Sequence, residues 1–215
     1  MHPHPHLMPR DIGWIEVVTG CMFSGKTEEL IRRLRRARYA RQPVVVFKPR
    51  LDDRYTEDSV GSHSGDRMRS IQVDGSDEIL PQVGDAVVVG IDEAQFFDPG
   101  LVQVCEQLAN SGKRVIVAGL DLDYRGVPFE PMPHLMAVAE YVTKNLAICV
   151  VCGNPADRSQ RLVNRGGRVL VGEADAYEAR CRLHWDPHNF EAVQERLPLG
   201  ANLAEAPRPA PAEPG

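Results

Sequence analysis

Long apolar runs are missing from this sequence. No stretch approaches the roughly 20 apolar residues that a membrane-spanning helix needs, and the first residues lack the charged-then-apolar pattern of a secretory signal peptide. We therefore expect a cytoplasmic protein with no membrane partner. An excess of positive charge is also missing: the net charge is -5 at pH 7, which gives no overall field to attract nucleic acid. The composition favours a small-molecule partner.

Cysteines are few and odd in number, five in 215 residues. Without a secretory signal this count argues against a disulfide framework. Four potential metal ligands form two closely spaced pairs, Cys149-x-x-Cys152 and Cys181-x-x-His184. Three thiolates and one imidazole complete a tetrahedral shell with no open position, so the predicted ion is a structural Zn²⁺. Cys21 and Cys105 have no such partners and are predicted to serve packing.

Both ends of the sequence are predicted to lie outside the folded core. Residues 1–10 alternate histidine with proline and are interpreted as a flexible leader. Residues 197–215 are rich in Pro, Ala and Glu, a composition that buries too little apolar surface to offset the entropy of ordering. Between this predicted disordered tail and the core, residues 186–196 are expected to form a C-terminal helix.

The central part alternates short apolar runs with helical patterns. Strands are predicted at residues 14–18, 44–47, 86–91, 115–118 and 141–148. Most of these runs are continuously apolar, which is typical of strands buried on both faces of a mainly parallel sheet. The predicted fold is α/β, with a phosphate-loop core of residues 11–147 that has helices on both faces of the sheet, and a small zinc-stabilised, β-rich module of residues 148–185.

Two helices are predicted in detail. The first, residues 26–41, places Leu30, Ile31, Leu34 and Ala37 on one face. The second is expected to open with Asp98 as its cap and Pro99 in its first turn, and to end at Gly112.

A strand-to-helix segment carries the strongest local motif. Residues 20–27 match the pattern G-x-x-x-x-G-K-[ST], in the order Gly20, Cys21, Met22, Phe23, Ser24, Gly25, Lys26 and Thr27. Backbone N–H groups of such a loop surround phosphate oxygens, and the helix that follows adds its dipole. Lys26 is predicted to reach the β and γ phosphates of ATP, and Thr27 to bind Mg²⁺.

Two adjacent carboxylates end the buried run 86–91. Behind a phosphate loop, an acid at the carboxyl end of a neighbouring strand holds Mg²⁺, and Asp92 is assigned that role. Glu93 points the other way and is predicted to accept a proton from an attacking hydroxyl. The alternative is that either acid only caps the next segment.

These motifs, in this order, resemble the type II thymidine kinases over nearly the whole stretch from Ile15 to His184. The resemblance includes the run Asp92-Glu93-Ala94-Gln95-Phe96-Phe97, Gly119-Leu120-Asp121 with Pro128-Phe129, and Tyr177-x-x-x-Cys181. It implies transfer of the γ-phosphoryl group of ATP to thymidine, with Glu93 as catalytic base. It also implies that Ala94, Gln95 and Arg54 belong to the ATP and Mg²⁺ site, that the protein is a homotetramer, and that thymidine triphosphate is a feedback inhibitor.

The same resemblance implies a nucleoside pocket. Its apolar and aromatic lining is expected from Met22, Leu120, Tyr124, Phe129 and Tyr177. A loop anchored by zinc is expected to bond the base through main-chain groups, and it consists of Arg168, Val169, Leu170, Val171 and Gly172. Glu173 stands where many members have a second glycine, so the loop differs there from the family pattern.

Three other functions remain open at this point. A kinase could prefer another nucleoside, such as deoxyuridine or deoxycytidine, because main-chain recognition leaves little trace in a sequence. A nucleic-acid-binding ATPase would use the zinc module and the arginines of the first helix to grip a strand. A zinc-stabilised regulator would bind ATP without turnover, although Glu93 argues against it.

Overall fold

The computed structural model describes residues 12–50, 59–61, 67–163 and 176–188. The predicted leader, most of the predicted C-terminal helix and the predicted tail lie outside these residues. In chain order the elements are β1 (Trp14–Thr19), α1 (Lys26–Tyr39), β2 (Val44–Pro49), β3 (Ser59–Gly61), β4 (Arg67–Arg69), β5 (Ile71–Val73), α2 (Ile79–Gln82), β6 (Val88–Ile91), α3 (Leu101–Asn110), β7 (Arg114–Gly119), α4 (Met132–Val138), β8 (Tyr141–Lys144), β9 (Ala147–Ile148), β10 (Pro155–Ala156), β11 (Arg158–Arg161) and β12 (Tyr177–Arg180).

The central sheet has six strands in the order β5-β2-β6-β7-β1-β8. Every neighbouring pair is parallel, which confirms the predicted α/β fold. The strand order places β7 between β1, which leads into the predicted phosphate loop, and β6, which leads into the two carboxylates. The carboxyl ends of parallel strands lie along one edge, so these segments meet there.

Helices cover both faces of the sheet. Odd-numbered residues of β1 and β7, such as Val17 and Val117, pack with α3 and α4 in one cluster. Even-numbered residues, such as Val18 and Ala118, pack with α1 in another. Because successive residues of a strand point to opposite faces, a strand covered on both sides must be apolar at nearly every position. This explains the continuously apolar runs of the sequence.

A buried carboxylate in β1 fastens α1 to the sheet. Glu16 is 2% exposed and accepts hydrogen bonds from Arg33 of α1 at 2.8 Å and from Arg114 of β7 at 2.6 Å. Trp14 Nε1 donates to the same carboxylate at 2.8 Å. A buried charge is tolerated when it is paired in this way. The helix that follows the phosphate loop is thereby fixed in position.

Short antiparallel pairs follow the sheet. β9 pairs with β10 and β11 with β12, and the N–H of Val150 donates to the carbonyl of Ala179 at 3.1 Å to join the two pairs. These four strands carry or flank all the predicted metal ligands, and their antiparallel pairing agrees with the β-rich character predicted for residues 148–185.

Several predicted boundaries are wrong. The run 141–148 is not one strand: β8 ends at Lys144 and β9 belongs to another sheet, because the chain turns where Asn145 N donates to Thr19 O at 2.8 Å. Helix α1 ends at Tyr39, two residues before the predicted end, and Arg41 has a left-handed φ of 57°. The strand predicted at 86–91 begins at Val88.

Asp98 is not the cap position of α3, which begins at Leu101 after Gly100. Its carboxylate instead accepts bonds from the backbone N–H and hydroxyl of Ser76 at 2.9 and 2.7 Å and from Gly100 N at 2.9 Å. The predicted helix end at Gly112 is confirmed by its φ of 86°, just after Asn110. Residues 186–188 are not helical, and the remainder of the predicted C-terminal helix lies outside the described residues. Among the described residues, no helix is both long and apolar enough to span a bilayer.

Candidate active site and metal centre

The predicted phosphate loop connects β1 to α1. Its backbone reverses direction through left-handed residues, with φ of 142° at Gly20, 65° at Phe23 and 76° at Gly25. At Gly20 no side chain fits, because a Cβ would lie 2.2 Å from the carbonyl oxygen of Asn145. The loop ends on the first turn of a 14-residue helix. This is the geometry in which backbone N–H groups and a helix dipole bind phosphate.

Lys26 begins α1 and folds back over the loop. Its Nζ donates to the carbonyl oxygen of Cys21 at 2.8 Å. Burial lowers the pKa of this ammonium, and the negative charges of Glu93 and Asp92 oppose that shift. The lysine is thus held against the backbone of the loop.

Asp92 and Thr27 come together although 65 residues separate them. Thr27 Oγ1 lies 3.2 Å and 3.4 Å from the two carboxylate oxygens of Asp92. Asp92 is only 6% exposed, and burial, followed by the charge of Glu93, raises its pKa to about 7. A hydroxyl and a carboxylate at the mouth of a phosphate loop are oxygen donors of the kind that Mg²⁺ takes together with phosphate oxygens.

Glu93 has a different orientation from Asp92. Its backbone is left-handed, with φ of 52°, and such strain in a non-glycine residue persists only where the surroundings enforce it. The side chain of Glu93 is held by Gln95, whose Nε2 donates to Glu93 Oε2 at 2.5 Å and whose Oε1 accepts from Leu120 N at 2.9 Å. The half-buried carboxylate is therefore tied to the segment that follows β7.

The predicted nucleoside-pocket residues fall into two groups. Tyr124 and Tyr177 are buried in one cluster, against which Met22 packs. Phe129 instead contacts Phe96 edge to face, with ring centroids 6.0 Å apart. Leu120 is half-buried, and its backbone N–H donates to the side-chain oxygen of Gln95. Arg54 and the residues Arg168, Val169, Leu170, Val171 and Gly172 lie outside the described residues.

Arginines surround Tyr124. The guanidinium of Arg161 lies 4.8 Å from the centroid of its ring and that of Arg125 lies 5.2 Å away. Arg125 Nε also donates to the phenol oxygen at 2.8 Å. Cations over a buried aromatic ring restrict its orientation. Arg161 is 2% exposed, and the sequence motifs did not identify it.

The four predicted metal ligands converge. Their donor atoms all lie within 4.8 Å of one another. Cys152 Sγ and Cys181 Sγ are 3.8 Å apart, and His184 Nδ1 lies 3.8 Å from Cys149 Sγ and 3.2 Å from Cys181 Sγ. Tetrahedral zinc with bonds of about 2.3 Å to sulfur separates two thiolates by about 3.8 Å. The donor set and spacing can therefore hold a metal ion and fit Zn²⁺.

The other two cysteines are buried. Burial raises the pKa of the Cys105 thiol to about 12, as expected for a packing residue of α3. Cys21 packs against the metal-ligand segments, in a cluster with Cys149 and Ala156. Its Sγ also donates to the carbonyl of Ala156 at 3.4 Å.

A second contact joins the phosphate loop to the metal-binding segment: Met22 N donates to the hydroxyl of Ser159 at 3.1 Å. Ser159 is 5% exposed and lies in β11. No motif in the sequence points to it, because the pairing depends on two segments 137 residues apart. The phosphate loop and the metal site are thus packed against each other.

Lys144 and Asp121 form another pair that sequence reasoning missed. Lys144 Nζ lies 2.6 Å from Asp121 Oδ2, and Asp121 is 6% exposed in its side chain. Thr19, at the end of β1, pairs with Gly119 on one side and Lys144 on the other. The ion pair therefore crosses the end of β1, next to the phosphate loop. Asp121 lies in the Gly119-Leu120-Asp121 run, which was its only signal in the sequence.

The fold and the site define a phosphate-loop α/β enzyme that has a carboxylate pair beside the loop and a Cys/His metal site packed against it. Residues 13–185 match the family model for thymidine kinase. The chain is 61% identical over 198 residues to a thymidine kinase from Rhodothermus sp., a match that covers 92% of each chain. It is 58% identical over 176 residues to a thymidine kinase from Bdellovibrio bacteriovorus, covering 81% of this chain and 86% of that one. This chain belongs to the thymidine kinase family, and so to the ATP-dependent kinases.

This membership decides among the classes left open by the sequence. A kinase is favoured over a nucleic-acid-driven ATPase and over a regulator without turnover. Both relatives are named thymidine kinase, and the match covers most of the length of each.

Proposed function

We propose that this protein transfers the γ-phosphoryl group of ATP to the 5′-hydroxyl of thymidine, and of deoxyuridine, to give the nucleoside monophosphate and ADP. The observation that carries this proposal is the division of labour between two adjacent carboxylates. Asp92 faces Thr27 of the phosphate loop, whereas Glu93 is held by Gln95 toward the segment that carries Leu120. One acid is thus on the ATP side and the other on the side expected for the acceptor.

ATP is proposed to lie on residues 20–27. The backbone N–H groups of the loop and the start of α1 would bind the phosphates, and Lys26 would leave the carbonyl of Cys21 to contact the β and γ phosphates. Thr27 and Asp92 would hold Mg²⁺, which when bound neutralises charge that develops on the phosphoryl group. Ala94 and Gln95, next to Glu93, and Arg54 are proposed to complete this side of the site.

Glu93 is proposed to act as general base. Its carboxylate would take the proton of the 5′-hydroxyl while that oxygen forms a bond to the γ-phosphorus and the bond to the β–γ bridging oxygen breaks. ADP leaves with the bridging oxygen and its electron pair. Fixing the base by the Gln95 amide keeps the carboxylate oriented before the nucleoside arrives, which is the contribution of positioning to such a transfer.

The nucleoside is proposed to bind between Met22, Tyr124 and Tyr177, with Leu120 and Phe129 completing the apolar lining. Support comes from the cluster in which the first three pack together. Main-chain groups of Arg168, Val169, Leu170, Val171 and Gly172 are proposed to bond the base, with the structural Zn²⁺ at Cys149, Cys152, Cys181 and His184 anchoring that loop.

The family resemblance supports further proposals about the whole protein. A homotetramer located in the cytoplasm would serve pyrimidine deoxynucleotide salvage and DNA precursor synthesis, under feedback inhibition by thymidine triphosphate. Nucleic acid is not a proposed partner. The division into a core of residues 11–147 and a zinc module of residues 148–185 is likewise proposed, on the basis of their different strand pairings.

The test is direct phosphorylation. Purified protein is incubated with γ-labelled ATP and Mg²⁺ and each deoxynucleoside in turn, and labelled monophosphate is separated and counted. We expect label in thymidine and deoxyuridine monophosphates, and a fall of about 10²–10⁴-fold in turnover for Glu93→Gln. Label only in deoxycytidine monophosphate would contradict the proposal that thymidine is the substrate. ATP hydrolysis stimulated by single-stranded DNA, without any monophosphate, would overturn the kinase proposal.

A further inference from the structure

A tryptophan directly after the last metal ligand reaches into the segment between β7 and α4. The indole N–H of Trp185 donates to the carbonyl oxygen of Tyr124 at 3.1 Å. The ring also lies against Gly126, where a Cβ would come within 2.8 Å of its Cη2 atom and 3.2 Å of its Cζ2 atom. Only glycine permits this approach. The contact joins residues 61 positions apart.

The metal-ligand segment fixes Trp185 from its other side. The N–H groups of His184 and Trp185 both donate to the carbonyl of Cys181, at 3.1 and 3.0 Å. Beyond the ring, the amide of Gln160 exchanges two hydrogen bonds with the backbone of Asp186, each of 2.8 Å. The Gln160 side chain itself is buried, with 1% exposure. Trp185 is therefore held between the metal ligands and β11.

The indole face has its own partner. Arg158 of β11 places its guanidinium 5.5 Å from the centroid of the Trp185 ring. Arg161, at the other end of the same strand, covers the ring of Tyr124 at 4.8 Å. One short strand thus orients both aromatic residues, and the hydrogen bond from Trp185 to Tyr124 connects them.

We propose that Trp185 is a positioning residue through which the metal site fixes Tyr124 in the nucleoside pocket. The inference rests on the proposed function, since it assigns Tyr124 to the nucleoside. It adds a second connection between metal and pocket, separate from the chain that links Tyr177 to Cys181. Cys181 and His184 would hold the metal, and the Cys181 carbonyl accepts a bond from the backbone N–H of Trp185. Trp185 in turn donates to the carbonyl of Tyr124, whose ring packs with Met22 and Tyr177.

Trp185→Phe tests the proposal first: it keeps an aromatic ring but removes the N–H donor to Tyr124 and the outer indole carbons that lie against Gly126. Calorimetry on the purified, metal-loaded protein is expected to show thymidine binding weakened by at least roughly threefold, because the variant loses one net hydrogen bond and the contact of the indole with Gly126. Metal content by mass spectrometry, ATP affinity and kcat should stay within about twofold of the wild type, while KM for thymidine rises. Trp14→Phe is the matched control. It removes an indole donor to Glu16 at the start of β1, the end away from the phosphate loop, and should leave thymidine affinity unchanged.

A second variant displaces the ring without changing it. Gly126→Ala puts a methyl group where Trp185 lies, at a φ of 75°, whereas Gly112→Ala adds a methyl group at a φ of 86° with nothing within 4 Å. Both carry the strain of a left-handed alanine. We expect only Gly126→Ala to weaken thymidine binding. The comparison separates displacement of Trp185 from general destabilisation.

Thymidine binding as tight as that of the wild type in Trp185→Phe would overturn the proposal. Loss of the metal together with thymidine affinity in that variant would also overturn it, because Trp185 would then support the metal site and not the pocket. A wild-type protein that forms no thymidine monophosphate would refute the proposed function, whatever Trp185 does. If the wild type phosphorylates thymidine and Trp185→Phe binds thymidine with unchanged affinity, only this inference is refuted.

Discussion

The side-chain amide nitrogen of Gln95 lies 2.5 Å from the Oε2 atom of Glu93. The same amide accepts a hydrogen bond from Leu120 N through its oxygen, so it cannot rotate without losing one of two bonds. Gln95 itself is buried, with 3% exposure. The orientation of the proposed base is therefore set by the side-chain amide of Gln95.

Replacing Gln95 by methionine tests this role. Gln95→Met keeps the length of the side chain but removes both hydrogen bonds, so we expect kcat to fall by about tenfold, less than for Glu93→Gln, because the base remains but is no longer held. Steady-state kinetics with thymidine and ATP measure the effect. Gln103→Met, an exposed change on α3, is the control. Equal kcat values for the two variants would show that Glu93 needs no such support.

Deleting the ammonium of Lys26 tests the phosphate loop. Lys26→Ala removes the cation expected to face the β and γ phosphates, and we predict that kcat/KM for ATP falls by roughly 10²-fold or more. Metal content should not change, because the metal ligands lie elsewhere. Lys113→Ala is a close control, since Lys113 also donates to a backbone carbonyl, that of Ala86 at 2.6 Å. Unchanged ATP kinetics in Lys26→Ala would refute the assignment of the loop.

Losing one thiolate tests the metal site. Cys152→Ser or Cys181→Ser is expected to release the metal and to weaken thymidine binding, because a small module without its ion lacks enough core to hold its fold. From the sequence alone, ATP affinity would stay unchanged. The bonds from Cys21 and Met22 to the metal-binding segment lead us to expect a smaller fall in ATP affinity as well.

Calorimetry measures the affinities for thymidine and for ATP, and metal analysis of the same preparations measures the metal content. Cys105→Ser, a change at a buried cysteine of α3 outside the metal cluster, controls for the loss of a thiol. A metal-free variant that binds thymidine as tightly as the wild type would show that the pocket does not depend on the metal.

The buried carboxylate of Glu16 predicts a pH-dependent stability. Burial alone would raise its pKa, but the hydrogen bond and charge of Arg114, with the charge of Arg33, outweigh that effect and hold the pKa below its ordinary value of 4.5. The stabilisation is therefore present above about pH 4.5 and is lost as the pH falls through the lower, folded-state pKa. Glu16→Gln should cost roughly 3–5 kcal/mol at pH 7.

Chemical unfolding between pH 7 and pH 3 measures this. The difference in unfolding free energy between wild type and Glu16→Gln is expected to shrink as the pH is lowered. Glu106→Gln, at an exposed position of α3, should show a small difference at every pH. A gap for Glu16→Gln that stays constant with pH would mean that the ion pairs do not account for its stabilisation.

The sequence by itself determined the features that depend on a few neighbouring residues. Gly20 and Gly25 are needed where the loop turns through left-handed conformations, and the periodic Leu30, Ile31 and Leu34 bury one face of α1. Paired Cys/His spacing is equally local, because two ligands of a knuckle must lie within one turn of chain. Each of these signals has a physical cause that acts within about eight residues, so each is visible in the sequence alone.

Only the tertiary structure decided which distant segments meet. That Ser159 contacts the phosphate loop and that Trp185 bonds Tyr124 follow from strand order and packing. The break in the run 141–148 has the same origin: Asn145 donates to the carbonyl of Thr19, and β9 pairs with β10. The free energy of such contacts comes from packing between segments that are far apart in the chain. No local sequence pattern therefore predicts them.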